Sequence, residues 1–135
     1  MKLLIDTCVI IDALQKREPF YINAEKIFLE IAQNKYEGFI TAKSITDIYY
    51  LTRRNVHSDK ETRKIISKLL TLFNIVDTTE LDIKKALISD VPDYEDAVMI
   101  ETAKRTKMNA IITRNLKDYT VSSIPVCLPE DIDKL

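Results

Sequence analysis

Glycine is almost absent from this 135-residue chain, in which Gly38 is the only one. Walker-type phosphate loops and dinucleotide-binding turns each need several glycines, because the backbone must approach phosphate closely and adopt positive φ angles. The Gly-x-Ser-x-Gly turn that carries the nucleophile of many serine hydrolases is missing for the same reason. The sequence therefore argues against the common nucleotide-binding and serine-hydrolase classes.

Thiols and imidazoles are also scarce, since Cys8 and Cys127 are the two cysteines and His57 is the one histidine. Two distant thiols are too few for a disulfide scaffold in a chain able to bury its own core, and we expect both to be free apolar residues. His57 has no Cys or His neighbour at ligand spacing, which argues against a zinc site. No Ser-His or Cys-His catalytic pair is evident.

Long apolar runs are missing as well, because no stretch approaches the roughly 20 apolar residues that span a bilayer. The first acid, Asp6, comes too early for a signal peptide. Apolar residues make up 46% of the chain, charged residues 30%, and the net charge is -1. We therefore expect one compact cytoplasmic domain over residues 1–135, without a membrane association. A polyanionic substrate would need local basic residues or a bound metal to overcome the acids.

Short apolar segments alternate with amphipathic ones along the chain. Helix starts are marked by capping patterns at Ser58 with Glu61 and at Thr79 with Asp82. Strands are predicted at 2–6, 37–41, 74–77, 109–113 and 125–128, and helices at 7–15, 21–34, 44–53, 58–73, 79–89 and 93–107, with a helical turn from Pro129. This alternation predicts an α/β fold with a parallel sheet of four to five strands flanked by helices on both faces.

Acidic and amide side chains recur where such a sheet binds ligands, at the carboxyl ends of its strands. Grouped carboxylates repel one another, so a cluster is stable mainly when a cation neutralises it. Hard Mg²⁺ or Mn²⁺ prefers carboxylate oxygen and can generate hydroxide from bound water near neutral pH. The positions are Asp6 after the first strand, Asp47 in the helix after the second, Asp93 and Asp96 before the fourth, and Asn115 and Asp118 after it.

Each acid also has a purely structural interpretation, and the sequence alone does not distinguish it from the functional one. Asp47 could close a capping box with Ser44, and Asp93 could cap a helix in which Asp96 is the third residue. Asp6 could satisfy backbone donors in its own turn, and Asp118 could form an Asx-turn. The functional interpretation depends on their joint positions.

Several segments together resemble PIN-domain nucleases, in particular the toxin ribonucleases of the virulence-associated protein C (VapC) type. The resemblance covers essentially the whole chain. A lone Leu-Ile-Asp-Thr would be weak, whereas Asp-Tyr-Glu-Asp-Ala followed by Thr-Arg-Asn-x-Lys-Asp-Tyr is rather specific. The segments that carry it are 4–7, 41–48, 93–97, 111–119 and 124–130.

This resemblance implies a Rossmann-like sheet and hydrolysis of RNA phosphodiester bonds with Mg²⁺ or Mn²⁺. It also implies a partner antitoxin protein and, often, a homodimer. It assigns metal-binding and catalytic roles to Asp6, Asp47 and Asp96, and places a fourth position at Asn115, as a metal ligand, or at Asp118, as a catalytic acid. The chain departs from the family pattern in three ways: Asp47 replaces Glu, Cys8 replaces a frequent Asn, and Asn115 is neutral where many relatives carry an acid.

Further residues are candidates for supporting roles. Asp93 could join the site, and the hydroxyls of Thr7 and Thr113 could donate hydrogen bonds near it. Arg114, Lys117 and Arg53 are candidates for RNA contact, with Arg114 favoured for phosphate because its loop also carries Asn115. For most basic residues, a solvated helix face is the competing interpretation.

Three hypotheses follow from these observations. The leading one is a metal-dependent endoribonuclease that is the toxin of a toxin–antitoxin pair. The second, motivated by Asp47 and Asn115, is a catalytically weakened PIN-like module that binds RNA or a protein partner. The third is another acidic α/β enzyme, such as a phosphatase with an aspartyl nucleophile; that class requires a second acid where this chain has Cys8.

Overall fold

Five parallel strands form one sheet in the order β3-β2-β1-β4-β5. The computed structural model describes residues 1–119 and 121–135, apart from the side chain of residue 118. The predicted α/β fold is confirmed, with each predicted strand present and most of them shortened at an end. The strands are β1 (Lys2–Ile5), β2 (Glu37–Thr41), β3 (Asn74–Val76), β4 (Ala110–Ile112) and β5 (Val126–Cys127).

Helices cover both faces of the sheet, because alternate side chains of β1 point to opposite sides. Leu3 and Ile5 pack with apolar residues of α1, α2 and α3, whereas Leu4 packs with Met99 and Ile100 of α6. No described helix is long and apolar enough to cross a membrane. The helices are α1 (Thr7–Leu14), α2 (Tyr21–Ala32), α3 (Ala42–Val56), α4 (Asp59–Leu72), α5 (Glu80–Leu87) and α6 (Tyr94–Arg105), with 3-10 turns at Leu116–Tyr119 and Pro129–Lys134.

Capping explains where the helices near the site begin. Thr41, the last residue of β2, accepts the backbone N–H of Ser44 at 3.0 Å, so α3 starts two residues earlier than predicted. Ser44 is therefore not a cap, and the predicted capping box between Ser44 and Asp47 does not form. The box of Thr79 with Asp82 is present in full, and the Ser58 side chain accepts the N–H of Glu61.

Gly38 allows α2 and the end of α4 to approach β2 closely. A Cβ atom at this position would lie 2.5 Å from Cδ1 of Ile31 and 2.7 Å from Cδ1 of Phe73. Glycine is thus required here for space. Left-handed backbone is adopted instead by Lys16, Asn34, His57 and Lys107, among the described residues.

Candidate active site

The strand order changes direction between β1 and β4, and the candidate site lies at the carboxyl ends of these two strands. From β1 the chain proceeds through β2 to β3 on one side, and then crosses to β4 and β5 on the other. Open α/β sheets bind ligands in the crevice at such a switch point. Asp6 follows β1 directly, and its backbone N–H donates to the carbonyl of Ile112 in β4 at 2.9 Å.

The Asp6 carboxylate is held by hydrogen bonds to both of its oxygens. Oδ1 accepts the backbone N–H of Thr7 at 2.8 Å, and Oδ2 accepts the hydroxyl of Thr113 at 2.7 Å. Asp6 therefore does accept a backbone N–H at the start of α1, as its structural interpretation predicts. This one hydrogen bond uses only part of the hydrogen-bond acceptor capacity of the carboxylate. Burial raises the pKa of Asp6, and the hydrogen bonds from Thr113 and Thr7 act in the opposite direction.

Cys8 lies beside the same carboxylate. Its Sγ is 3.8 Å from Oδ2 of Asp6 and 3.8 Å from the hydroxyl of Thr113. Burial, followed by the charge of Asp6, raises the pKa of the Cys8 thiol. It is therefore a neutral thiol near pH 7, in keeping with the expected free cysteine and with hard-metal rather than thiolate chemistry.

The hydroxyl of Tyr119 links Asp6 to Asp96. It donates to Oδ2 of Asp6 over 3.4 Å and is also hydrogen-bonded to Asp96. Burial, together with the two neighbouring carboxylates, raises the pKa of the Tyr119 phenol, which keeps its proton at neutral pH. Two acids that are 90 positions apart in the sequence are thus adjacent in space.

Asp96 and Asp93 both lie at the start of α6 and have different roles there. Asp93 is the N-cap, and its Oδ1 accepts the backbone N–H of Asp96 at 3.0 Å. The capping interpretation of Asp93 is thus what the structure shows. The cap directs the first turn of α6, and with it Asp96, toward the carboxyl end of β1.

Asp47 enters the same cleft from α3, where it is paired with a lysine. Nζ of Lys43 is 2.6 Å from Oδ2 of Asp47 and 3.3 Å from Oε1 of Glu95 on α6. Partial burial disfavours the charged amine, but the hydrogen bonds and charges of the two carboxylates prevail and raise the pKa of Lys43. Lys43 therefore connects α3 to α6 across the cleft.

These residues line one open cleft of about 500 Å³, which we call the acid cleft. Asp6, Asp47, Glu95 and Asp96 supply its carboxylates, and Lys43 and Arg54 its basic groups. A smaller neighbouring recess shares Asp6 and Asp96 and extends to other predicted positions. That recess is also lined by Asp93, Asn115 and Arg17.

The loop after β4 contributes Asn115 at the edge of this recess. Asn115 is exposed, and its backbone N–H donates to the hydroxyl of Thr113 at 3.2 Å. Lys117 is exposed on the following 3-10 turn. The side chain of Asp118, the alternative fourth acid, lies outside the described residues.

Arg114 is bound within the protein by a carboxylate. Its Nε and Nη2 donate to the two carboxylate oxygens of Asp12 at 2.6 Å and 3.0 Å, and its guanidinium lies 4.1 Å from the centre of the Phe20 ring. A planar guanidinium binds carboxylates in this bidentate way with high preference. An internal carboxylate thus occupies two of the donor groups of Arg114, and its phosphate contact stays a prediction.

Arg54, and not Arg53, lines the acid cleft. Successive helix residues point about 100° apart, so neighbouring arginines on α3 face different directions. The periodicity of α3 could have distinguished them: Arg54 follows Lys43 by about three full turns, and Asp47 and Tyr50 lie between them on the same face.

A divalent metal fits part of this arrangement. Among the described residues, no three His, Cys, Asp or Glu side chains are grouped closely enough to form a metal site. However, Asp6 and Asp96 share a hydroxyl, and Mg²⁺ is commonly held by one or two carboxylates together with water and substrate phosphate. The donor set therefore suits a hard cation bound by this acid pair. Asp47 would join it only after leaving Lys43.

A family model described as PIN domain matches residues 2–117. The chain belongs to the PIN-domain family. The match contains the predicted acids Asp6, Asp47 and Asp96 and the following Asn115. Among curated proteins, no sequence matches the chain.

Solved structures of PIN-domain toxins share this fold. A toxin–antitoxin complex from Klebsiella pneumoniae is 23% identical with a TM-score of 0.67, and 94% of this chain and 97% of that chain are covered. VapBC2 from Rickettsia felis, bound to a promoter DNA fragment, is 13% identical with a TM-score of 0.67 and coverages of 95% and 98%. VapC20 from Mycobacterium tuberculosis, a toxin that cleaves the sarcin-ricin loop, is 11% identical with a TM-score of 0.63 and coverages of 81% and 86%. At these identities, the likeness establishes the fold.

Sequence reasoning missed three contributors to this PIN-domain site. Tyr119 was noted only as the last residue of segment 111–119; its side chain is 3% exposed, and its hydroxyl reaches the acid pair. Lys43 was not singled out, although its position four residues before Asp47 on a helix favours an ion pair. Glu95 was noted only within a motif, and its approach to Lys43 depends on the packing of α6 against the sheet.

Proposed function

We propose that this PIN domain is an endoribonuclease that hydrolyses RNA phosphodiester bonds with Mg²⁺ or Mn²⁺, and that it is the toxin of a toxin–antitoxin pair. The observation that carries the proposal is the partly buried Asp6 carboxylate, which is hydrogen-bonded at both oxygens and shares the Tyr119 hydroxyl with Asp96 at the switch point of the sheet. Burial disfavours a charged carboxylate, and a carboxylate that is nevertheless fixed there by hydrogen bonds is typical of a functional site.

Each residue has a definite part in this mechanism. Asp6 and Asp96 would hold the metal, while Thr113 and the N–H of Thr7 keep the Asp6 oxygens oriented toward the cleft. A bound divalent cation would supply the positive charge that polarises the phosphoryl group and makes water a nucleophile near neutral pH. Asp47, once released by Lys43, would orient the attacking water and accept its proton, and Asn115 would hold a phosphate oxygen or a water molecule. The role of Asp118 as a fourth acid stays a prediction.

The antitoxin partner and a homodimer are further parts of this proposal. The antitoxin partner is supported by the shared fold with toxins whose structures include toxin–antitoxin complexes from Klebsiella pneumoniae and Rickettsia felis, whereas the homodimer stays a prediction. Co-purification of the chain with the product of an adjacent gene, followed by measurement of RNA cleavage with and without that product, tests the partner directly. Cleavage that persists at full rate in a stable complex would contradict an antitoxin role.

The decisive experiment is cleavage of a fluorescent single-stranded RNA with Mg²⁺, Mn²⁺ or EDTA. The wild type is compared with Asp6→Asn and Asp96→Asn, and Asp59→Asn, on the exposed start of α4, is a matched surface control. Metal-dependent cleavage by the wild type and the control, absent from both site variants, supports the proposal. Cleavage that survives in both site variants would reject the site.

A second candidate function is supported by the ion pair of Asp47 with Lys43, which keeps one predicted ligand away from a metal. In this alternative, the chain is a PIN-like module that binds RNA or a protein without cleaving. Metal titration separates the two functions, because a ligand that binds only the folded state raises the melting temperature. An Mn²⁺-dependent rise that is lost in Asp96→Asn favours the nuclease, and no rise favours the binding module.

A further inference from the structure

The acid cleft presents a problem for the proposed substrate, because its carboxylates outnumber its basic groups. RNA entering the cleft must be held by cations that face it. Two of the predicted RNA contacts are poorly placed for this, since Arg114 is bound to Asp12 and Arg53 points to another side of α3 from the cleft-lining Arg54. The basic residues that do line the cleft are Lys43 and Arg54.

Lys43 and Arg54 lie near the two ends of α3 and on the same face. They are eleven positions apart, which corresponds to about three helical turns and to a distance of roughly 16 Å along the helix axis. Tyr50 lies between them on this face and also lines the cleft. The α3 face thus presents, in chain order, a cation, the carboxylate of Asp47, an aromatic ring and a second cation.

The Tyr50 side chain is largely exposed to solvent. Its exposed fraction is 60%, and its ring packs nearly perpendicular to that of Tyr49, with 5.1 Å between ring centres and an interplanar angle of 87°. Leaving this much aromatic surface in water is unfavourable, and an exposed ring packed against a second aromatic ring suits the stacking of an unpaired base.

Both cations can contact phosphate without the loss of a strong internal interaction. Arg54 is exposed, and it has no ion pair with any of the side chains that the structure describes, which leave out that of residue 118. Lys43 is paired with Asp47 and with Glu95, but all three side chains are exposed, at 47%, 42% and 75%. Ion pairs at this exposure contribute little stability, so exchange of Asp47 for a phosphate oxygen is inexpensive. The same exchange would free Asp47 for its proposed role.

We propose that the α3 face formed by Lys43, Tyr50 and Arg54 is the binding track for single-stranded RNA, with phosphates on the two cations and one unpaired base stacked on Tyr50. This inference rests on the proposed ribonuclease function and assigns the residues that select the substrate. Duplex RNA fits the track poorly, because its bases are paired and stacked on one another.

The test measures binding of a short fluorescent single-stranded RNA by fluorescence anisotropy in the presence of Mg²⁺. All variants also carry Asp96→Asn, which is expected to prevent cleavage of the RNA. Tyr50→Ala is expected to weaken binding about tenfold or more, and Tyr50→Phe to retain it. Lys43→Met and Arg54→Met are each expected to lower the slope of log affinity against log salt by about 0.7, the value for one phosphate contact on a single strand.

Arg53→Met is the matched control, since it removes the same charge one residue away on the same helix. It should leave the salt slope unchanged, and Tyr50→Ala should leave the affinity for a blunt RNA duplex unchanged. The proposed track would be rejected if Arg53→Met and Arg54→Met gave equal salt slopes. It would also be rejected if Tyr50→Ala bound the single strand with unaltered affinity. Wild-type cleavage is assayed in parallel: if RNA is cleaved but these variants bind normally, only the track is rejected. If RNA is neither bound nor cleaved, the ribonuclease proposal fails with it.

Discussion

The ion pair between Asp12 and Arg114 joins α1 to the loop that carries Thr113 and Asn115, and its removal should be costly. The Asp12 side chain is 2% exposed, and the Arg114 side chain is 25% exposed. Two short hydrogen bonds connect them, and Nη1 of Arg17 approaches the same carboxylate at 4.0 Å. Asp12→Asn would therefore leave a partly buried guanidinium without its counter-charge.

The magnitude follows from this burial. Removing one partner of a fully buried ion pair costs about 3 to 5 kcal/mol. Because a quarter of the Arg114 side chain remains in contact with water, we expect about 2 to 4 kcal/mol for Asp12→Asn. For a chain of this size, each kcal/mol lowers the melting temperature by roughly 3 to 5 °C.

The assay is urea unfolding followed by circular dichroism, with extrapolation to zero denaturant. A double variant, Asp12→Leu with Arg114→Met, replaces the pair by apolar groups and leaves no unpaired charge. It should be more stable than Asp12→Asn or Arg114→Met alone, because apolar replacement of a buried pair is often neutral. A cost below about 1 kcal/mol for Asp12→Asn, or a double variant as unstable as the sum of the two single changes, would refute this reasoning.

Two further predictions concern Asp6 and Gly38. Burial raises the pKa of Asp6 above its ordinary 3.8, so the folded state binds this proton more tightly and loses stability as pH rises from that value. Asp6→Asn should therefore raise the melting temperature of the metal-free protein, with a gain that grows as the pH rises above about 4; a gain independent of pH would contradict the pKa shift. Gly38→Ala should lower the free energy of unfolding by about 1 to 3 kcal/mol, because its Cβ would clash with Ile31 and Phe73. Unfolding in urea checks this, and an unchanged midpoint would show that the two side chains move aside freely.

The order of the elements follows from the sequence, because local rules govern it. Leu3, Leu4 and Ile5 form an uninterrupted apolar run, which is typical of a strand buried on both faces, and all three are 0% exposed. The cap of α5 by Thr79 and Asp82 involves residues three positions apart, which sequence spacing displays directly. The start of α3 was wrong by two residues, because Thr41 ends a strand and caps a helix at once.

The composition of the candidate site was predictable in part. Carboxylates at the ends of strands and in first helical turns can be placed near one another once a parallel sheet is expected, as for Asp6 and Asp96. Which cations and hydroxyls surround them was not predictable. Arg114 and Lys43 are both basic residues next to site positions, yet one is bound to Asp12 and the other bridges Asp47 and Glu95.

The sequence by itself determined the sheet-and-helix pattern and the candidate acids, because periodicity, capping and residue chemistry act over a few neighbouring positions. Only the tertiary structure decided the partners of those acids. Tyr119 lies 113 positions from Asp6, and Arg114 lies 102 positions from Asp12. Contacts of this separation depend on strand order and on the rotation of each helix about its axis, and neither quantity is set by local spacing.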